Sequence, residues 1–101
     1  MMRNTFIALL LALLLASCAT LSQEKRKETA EIHYRMGSVY FAERNYTAAL
    51  EEVLKAVKLY PNNPEYHNLL GLIYGAKRLY DNAQIHFRQA IKIKPDFSEA
   101  H

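Results

Sequence analysis

The residues most able to do chemistry in this chain are histidines that recur beside glutamates. His33, His67 and His101 are spaced by 34 residues, and each follows a glutamate by two positions. Imidazole and carboxylate groups bind zinc and transfer protons, so a metal site or an acid–base pair must be considered. Three imidazoles on one zinc must each lie ~2 Å from the ion, whereas packed helices lie about 8–10 Å apart. The spacing therefore favours equivalent packing positions, and we expect neither a metal site nor a cofactor.

Other groups that could support catalysis have no partner in the sequence pattern. Glu51 and Glu52 are adjacent, so on a helix they do not face each other and are expected in solvent. His86 is expected to be exposed on its helix. The sequence holds no glycine-rich phosphate loop and no motif that pairs a nucleophile with a base. We therefore predict that the protein is not an enzyme.

The charge pattern argues against nucleic acid as a partner. The 101 residues carry a net charge of +3, with 13 basic residues spread among 10 acidic ones. The single basic run, Lys25-Arg26-Lys27, is flanked by Glu24 and Glu28, which is typical of a solvated linker. The composition is that of one small globular domain with a special N-terminus.

That N-terminus has the pattern of an export signal. A basic residue precedes an apolar run over 6–15. A helix of these ten residues spans about 15 Å, half of the ~30 Å hydrocarbon core, so the run fits a signal sequence better than a membrane span. Residues 1–17 are therefore predicted to be a signal peptide.

The residues after this run suggest a lipid anchor. Leu15-Ala16-Ser17-Cys18 resembles the bacterial lipobox at all four positions. The resemblance implies that Cys18 becomes the first mature residue and carries diacylglycerol on sulfur and an acyl chain on nitrogen, enough for stable anchoring. Cys18 is the single cysteine, so no disulfide competes for its thiol. The alternative is an ordinary cleavage site beside an unmodified cysteine.

The residues that follow the cysteine indicate a tether and a destination. Residues 18–29 are polar, without aromatics, and are expected to form a short tether that becomes helical towards its end. Ala19 stands where an aspartate would favour the inner membrane, so resemblance to Gram-negative sorting rules implies the outer membrane, on its periplasmic face.

Beyond the tether the sequence repeats itself. Residues 30–63 and 64–97 align without gaps, and eleven of the 34 pairs are identical. A fixed period of this length without a strand pattern indicates stacked helix pairs. The identical pairs are Glu31/Glu65, His33/His67, Gly37/Gly71, Tyr40/Tyr74, Ala42/Ala76, Arg44/Arg78, Tyr46/Tyr80, Ala49/Ala83, Ala56/Ala90, Lys58/Lys92 and Pro61/Pro95.

Each unit is predicted to consist of two helices joined by a tight turn. Apolar residues recur at helical spacing, and the turns at 44–46 and 78–80 are expected to pack their tyrosines inward. Pro61 and Pro95 should end the second helices, because proline lacks the N–H and clashes one turn back. Gly37 and Gly71 cost about 1 kcal/mol in a helix, so we expect a partner helix to cross closely there.

This pattern resembles the tetratricopeptide repeat. The resemblance implies an all-α fold of antiparallel helix pairs in a right-handed solenoid, with repeats at 30–63 and 64–97 and the start of a third at 98–101. Two departures are histidine where tryptophan is common and arginine where glycine is common. The matching residues are His33, Met36, Gly37, Tyr40, Ala49, Val53, Ala56 and Pro61, then His67, Leu70, Gly71, Tyr74, Ala83, Phe87, Ala90 and Pro95.

The resemblance also implies a binding groove on the first helix of each unit, for a peptide or a helix of a protein partner. Members that clamp a C-terminal carboxylate use lysines and asparagines, of which this groove keeps only Asn68. Apolar side chains are therefore expected to anchor the partner, with Asn68 bonding its backbone. The predicted binding residues are Tyr34, Ser38, Phe41, Asn68 and Leu72.

A lipid-anchored protein of this design is similar to type IV pilus biogenesis and pilotin lipoproteins. We expect a non-enzymatic envelope adaptor whose partner is a pilus or secretin subunit. The alternative is a peptidoglycan- or protease-associated scaffold, which would use the convex face instead.

Residues 98–101, at the end of the sequence, suggest that the chain continues. Residues 98–101 repeat the first positions of a unit, including the glutamate–histidine pairing. A repeat array needs about three units, so we expect the chain to be an N-terminal piece of a longer protein. On this view Phe87, Ala90 and Ile91 would face water, and the alternative is self-association through the exposed second repeat.

Overall fold

The computed structural model describes residues 2–96, and within that range the chain forms four α-helices. The predicted start of a third unit at 98–101, with His101, lies outside the described residues. Helices α1 and α2 form one pair, α3 and α4 form a second, and α2 lies against α3. Short connections make consecutive helices antiparallel, which confirms the all-α repeat architecture. The helices are α1 (Met2–Ala42), α2 (Tyr46–Leu59), α3 (Pro64–Ala76) and α4 (Tyr80–Ile93).

Helix α1 joins the predicted signal peptide, the tether and the first helix of unit one. Its 41 residues extend for about 61 Å. Leucine, alanine, lysine and glutamate, which favour helix, make up much of it, and it contains no proline and a single glycine, Gly37. Contact with the repeats begins near Lys27, whose Nζ lies 5.9 Å from the centre of the Tyr60 ring, and Ala30 is fully buried. The last part of the predicted tether is therefore part of the packed structure.

The helix ends follow the predicted signals. Helix α2 stops before Pro61 and α4 stops before Pro95. Asn63 caps α3, because its side-chain oxygen accepts a hydrogen bond from the Glu65 N–H at 2.9 Å, and Pro64 occupies the first helical position. The prediction that each unit consists of two helices is confirmed.

Both units close at the predicted glycines. A Cβ on Gly37 would overlap Val53 Cγ2 and approach the Ala49 carbonyl oxygen to 3.3 Å. A Cβ on Gly71 would overlap the ring of Phe87. The prediction of a close helix crossing at these glycines is confirmed.

The core runs from the first pair into the second. Val53 of α2 and Leu70 and Ile73 of α3 are fully buried in one cluster, and a smaller cluster joins Ala30 to Ala56 and Tyr66. Burying side chains of this size contributes about 1.5–3 kcal/mol each. The two units therefore share one core.

Two expectations about the second unit are wrong: that Phe87, Ala90 and Ile91 face water, and that Tyr80 packs inward. Ala90 is fully buried and Phe87 half-buried, so they do not face water, because the Phe87 ring lies over Gly71. Tyr46 packs inward, with its ring 5.7 Å from that of Phe41, but Tyr80 is 66% exposed. Its equivalent contact is missing because Gly75 occupies the position that corresponds to Phe41.

Candidate functional site

The five predicted binding residues lie on α1 and α3, the first helices of the two units. We call these five the groove residues. Leu72 is 42% exposed, and the structure leaves its side chain available for contact. Tyr34, Ser38 and Phe41 are half-buried, and Asn68 is 7% exposed. Among the groove residues, Leu72 is therefore exposed, whereas the other four are partly or fully buried by neighbouring side chains.

Tyr34 and Ser38 make contacts within the packed helices in addition to lining the groove. The ring of Tyr34 lies 5.0 Å from that of Tyr66, at an interplanar angle of 31°. The Ser38 hydroxyl donates to the Tyr34 carbonyl oxygen at 3.0 Å, which occupies its single donor. The tether does not fold over Tyr34, because α1 continues along its own axis.

Asn68 carries the unmatched polar atom of the groove. Within residues 2–96, its Oδ1 is the buried side-chain oxygen without a hydrogen-bond donor. Leaving a buried acceptor unpaired costs about 1–3 kcal/mol. A backbone N–H from a bound segment would satisfy it, provided that the side chain turns outward.

The histidines pair with residues on the second helix of their own unit. His33 Nδ1 donates to Glu52 Oε2 at 2.7 Å. At the equivalent positions, His67 Nδ1 lies 3.3 Å from His86 Nδ1. The His67 Nε2–H donates to the Pro61 carbonyl oxygen at 2.7 Å, so in the neutral ring Nδ1 must accept and His86 Nδ1–H must donate.

These two pairs differ in their electrostatics. The hydrogen bond from His33 lowers the pKa of Glu52 below its usual value, against the opposing effect of burial. Burial, with a smaller effect of the neighbouring His67, lowers the pKa of His86. His86 was expected to be exposed, but it is half-buried, stacked 5.4 Å from Tyr74 and 5.6 Å from His67.

Sequence reasoning missed these pairs, although a signal was present. His33 and His67 were read as packing positions, while Glu52 and His86 were assigned to solvent. The 34-residue period places residue 52 on residue 86, and both pairs span 19 residues. Within residues 2–96, no group of three or more histidine, cysteine, aspartate or glutamate side chains is arranged to hold a metal ion.

The N-terminal part of α1 is exposed. Cys18 is a free, exposed thiol, and the apolar segment around it makes no buried contact within the described residues. By length and composition, α1 is the one helix of residues 2–96 that could cross a membrane, and an N-terminal signal sequence has the same properties.

Comparisons with known proteins identify the repeat. A TPR repeat profile matches residues 37–77, and a tetratricopeptide repeat profile matches residues 64–97, together more than half of the chain. The chain belongs to the tetratricopeptide repeat family. Repeats of this family generally serve as scaffolds for protein–protein contacts.

A solved structure shares this fold. The TPR domain of Arabidopsis OM64 superposes with a TM-score of 0.73 at 17% sequence identity. The match covers 74% of this chain and 62% of that one, and at this identity it shows the shared fold. No curated protein sequence is a significant match to the chain.

Proposed function

We propose that the protein is a non-enzymatic adaptor of the bacterial cell envelope, anchored by lipid on Cys18 to the periplasmic face of the outer membrane. Its groove residues bind a peptide or helix of a protein partner that belongs to type IV pilus or secretin assembly. The observation that carries this proposal is α1, in which one unbroken helix connects exposed Cys18 to the repeats.

The helix sets the distance between anchor and groove. Ala30, the first fully buried residue, lies twelve positions after Cys18 on the helix, which corresponds to a rise of about 18 Å. An acylated Cys18 would therefore hold the repeats close to the bilayer on a stiff support. Such an arrangement suits a protein that presents a partner at the membrane surface.

Lipid attachment is tested by labelling cells with palmitate. Wild-type protein should incorporate the label and Cys18→Ser should not. Ser17→Ala is the matched control, because alanine fits the lipobox pattern at that position and labelling should persist. Equal labelling of wild type and Cys18→Ser would refute the anchor, as would the absence of label in the wild type.

Partner binding is assigned to Leu72 and Asn68. Exposed Leu72 provides an apolar contact for the partner. The unpaired side-chain oxygen of Asn68 provides an acceptor for a backbone N–H of the partner. Leu72→Glu should reduce co-purification of the secretin subunit at least tenfold without changing helix content. Leu54→Glu is the matched control, because Leu54 is also 42% exposed but lies on α2.

The cellular role is tested by deleting the gene. Surface pili and assembled secretin multimers should be lost and should return with the wild-type gene but not with Leu72→Glu. If both persist in the deletion strain, the pilus assignment is wrong. Partner binding that survives Leu72→Glu would instead favour a peptidoglycan- or protease-associated scaffold acting through the convex face.

A further inference from the structure

An apolar stripe on α1 is exposed where the repeat pattern places core residues. We call Ile32, Met36 and Val39 the α1 stripe; they are 58%, 41% and 57% exposed. All three lie on one helix face because they are separated by four and three residues. Their equivalents 34 residues later are Tyr66, Leu70 and Ile73, which are 1%, 0% and 0% exposed.

The difference has a geometric cause. Helix α2 lies against α3, in front of the equivalents of the stripe. Within residues 2–96 no such cover lies over α1, because the residues that precede unit one continue along the same helix. The α1 stripe therefore corresponds to the face of α3 on which α2 packs. On α1 no helix occupies the place that α2 takes on α3, within the described residues.

Helix α4 has the shape of the missing neighbour. It occupies the same place in unit two as α2 does in unit one, and its side away from α3 has no cover within residues 2–96. That side carries exposed Tyr80 and Gln84 and half-buried Ile91, whereas the ring of Phe87 lies over Gly71 of α3. We propose that α4 of a second copy of this chain packs on the α1 stripe, which continues the α2–α3 interface from one molecule to the next.

The orientation of the helices favours this arrangement. Helices α1 and α3 are parallel to each other, and α2 and α4 run against them. Placing α4 on α1 as α2 lies on α3 keeps every copy pointing the same way. The interface is head to tail, so copies can form rows or rings. If the proposed anchor is correct, all copies can also be held by one membrane, but the pairing does not depend on the anchor.

A pair of charges makes the proposal specific. In the α2–α3 interface, Lys77 Nζ lies 3.5 Å from Thr47 Oγ1. The equivalent residues are Glu43, directly after α1, and Asp81 on α4, so the interface between copies brings two carboxylates together. This repulsion predicts weak, reversible association that strengthens when one of the charges is reversed.

The first experiment measures self-association of the full chain in mild detergent by analytical ultracentrifugation. Ile32→Lys should weaken association at least tenfold, whereas Ile85→Lys should leave it unchanged. Both isoleucines are 58% exposed, but Ile85 corresponds to Glu51, an exposed residue of α2. Comparison of the two variants removes any contribution from the apolar N-terminus. Equal effects, or no effect of Ile32→Lys, would overturn the proposal.

The charge reversal tests the register. Glu43→Lys should strengthen association about fivefold or more, and adding Asp81→Lys should abolish that gain. Unchanged association in Glu43→Lys would contradict the α4-on-α1 arrangement even if the stripe were otherwise needed. Alternatively, the full chain could bind anionic vesicles in an Ile32-dependent way without associating with itself. That result would identify the α1 stripe as a lipid-binding surface and refute the proposal.

Cross-linking identifies the two faces directly. In a Cys18→Ser background, differently tagged copies carrying Met36→Cys and Gln84→Cys are mixed and oxidised. A mixed disulfide between the two tags is expected, at a yield well above that of either variant alone. Disulfides formed only between Met36→Cys copies would show a symmetric α1 pairing and refute the proposal, as would the absence of cross-links.

Discussion

The two repeat units share a backbone plan and differ in the side chains that close it. In unit one, Val53 fills the space over Gly37, and His33 donates to a carboxylate. In unit two, the corresponding contacts are an aromatic ring over Gly71 and a second imidazole beside His67. The identical residues set where the helices cross, whereas the non-identical ones decide how firmly each pair is held.

Alanine at the crossing glycines should expose this difference most clearly. Gly37→Ala forces a methyl group into Val53 and the Ala49 backbone, neither of which can move freely, so we expect about 1–3 kcal/mol of destabilisation. Gly71→Ala should cost less, because the half-buried ring of Phe87 can turn aside. Chemical denaturation followed by circular dichroism measures both.

Gly75→Ala provides the control for that comparison. A Cβ at Gly75 meets no atom within 4 Å, so only the better helix propensity of alanine remains. The variant should be as stable as wild type or about 0.5–1 kcal/mol more stable. Equal destabilisation by all three substitutions would show that close crossing does not explain the first two.

The start of the second helix is weaker in unit two than in unit one. Asn45 caps α2 by accepting a hydrogen bond from the Ala48 N–H at 3.3 Å, whereas Leu79 gives α4 no side-chain cap. Leu79→Asn should therefore stabilise the protein by about 1 kcal/mol. Asn45→Leu, the converse change, should destabilise it by a similar amount, and thermal melts of both variants test the comparison.

The histidine pairs give the two units different responses to acid. The folded state lowers the pKa of His86 below 6.5, so the unfolded chain binds more protons and stability falls as the pH drops through that value. The pKa of Glu52 is lowered from 4.5, so the contribution of unit one persists above that pH and is lost only below it. Denaturation midpoints measured from pH 8 down to about pH 3 should show two separate pH windows in which stability falls.

Copying the unit-one pair into unit two tests this assignment. His86→Glu places a carboxylate opposite His67 Nδ1, which can donate to it only when the ring is protonated, because Nε2 already donates to the Pro61 carbonyl oxygen. Acidification should therefore strengthen this contact, and the loss of stability near pH 6.5 should disappear. The expected gain at pH 6 is about 0.5–1.5 kcal/mol, the usual net contribution of a hydrogen bond. If the acid response near pH 6.5 remains in this variant, it originates elsewhere in the chain.

Much of the fold could be predicted from the sequence because its signals are local. Prolines, the Asn63 cap and the glycines at the crossings act within a turn or two of their own position, and each lies where it was predicted. The inward packing of Tyr80 was predicted wrongly because it depends on residue 75 of the neighbouring helix. The burial of Asn68 likewise depends on neighbours that the 34-residue pattern does not specify.

The turns within the units provide the smallest and most symmetrical test. Arg44 and Arg78 adopt left-handed backbone angles, with φ of 62° and 63°. Each closes a Schellman-type helix end: the Asn45 N–H donates to the Tyr40 carbonyl oxygen at 2.9 Å, and the Leu79 N–H donates to that of Tyr74 at the same distance. This explains why the family favours glycine at a position where the chain has arginine twice.

Glycine at these positions should therefore stabilise both units equally. A left-handed residue with a Cβ costs about 1–2 kcal/mol, part of which is offset by the greater freedom of glycine in the unfolded chain. Arg44→Gly and Arg78→Gly should each add about 0.5 kcal/mol, measured by denaturation at neutral pH. Arg44→Ala and Arg78→Ala remove the charge but keep the Cβ, so they should give no gain. If alanine increased stability as much as glycine, the effect would come from removal of the charge. The left-handed backbone at the two turns would then carry no free-energy cost.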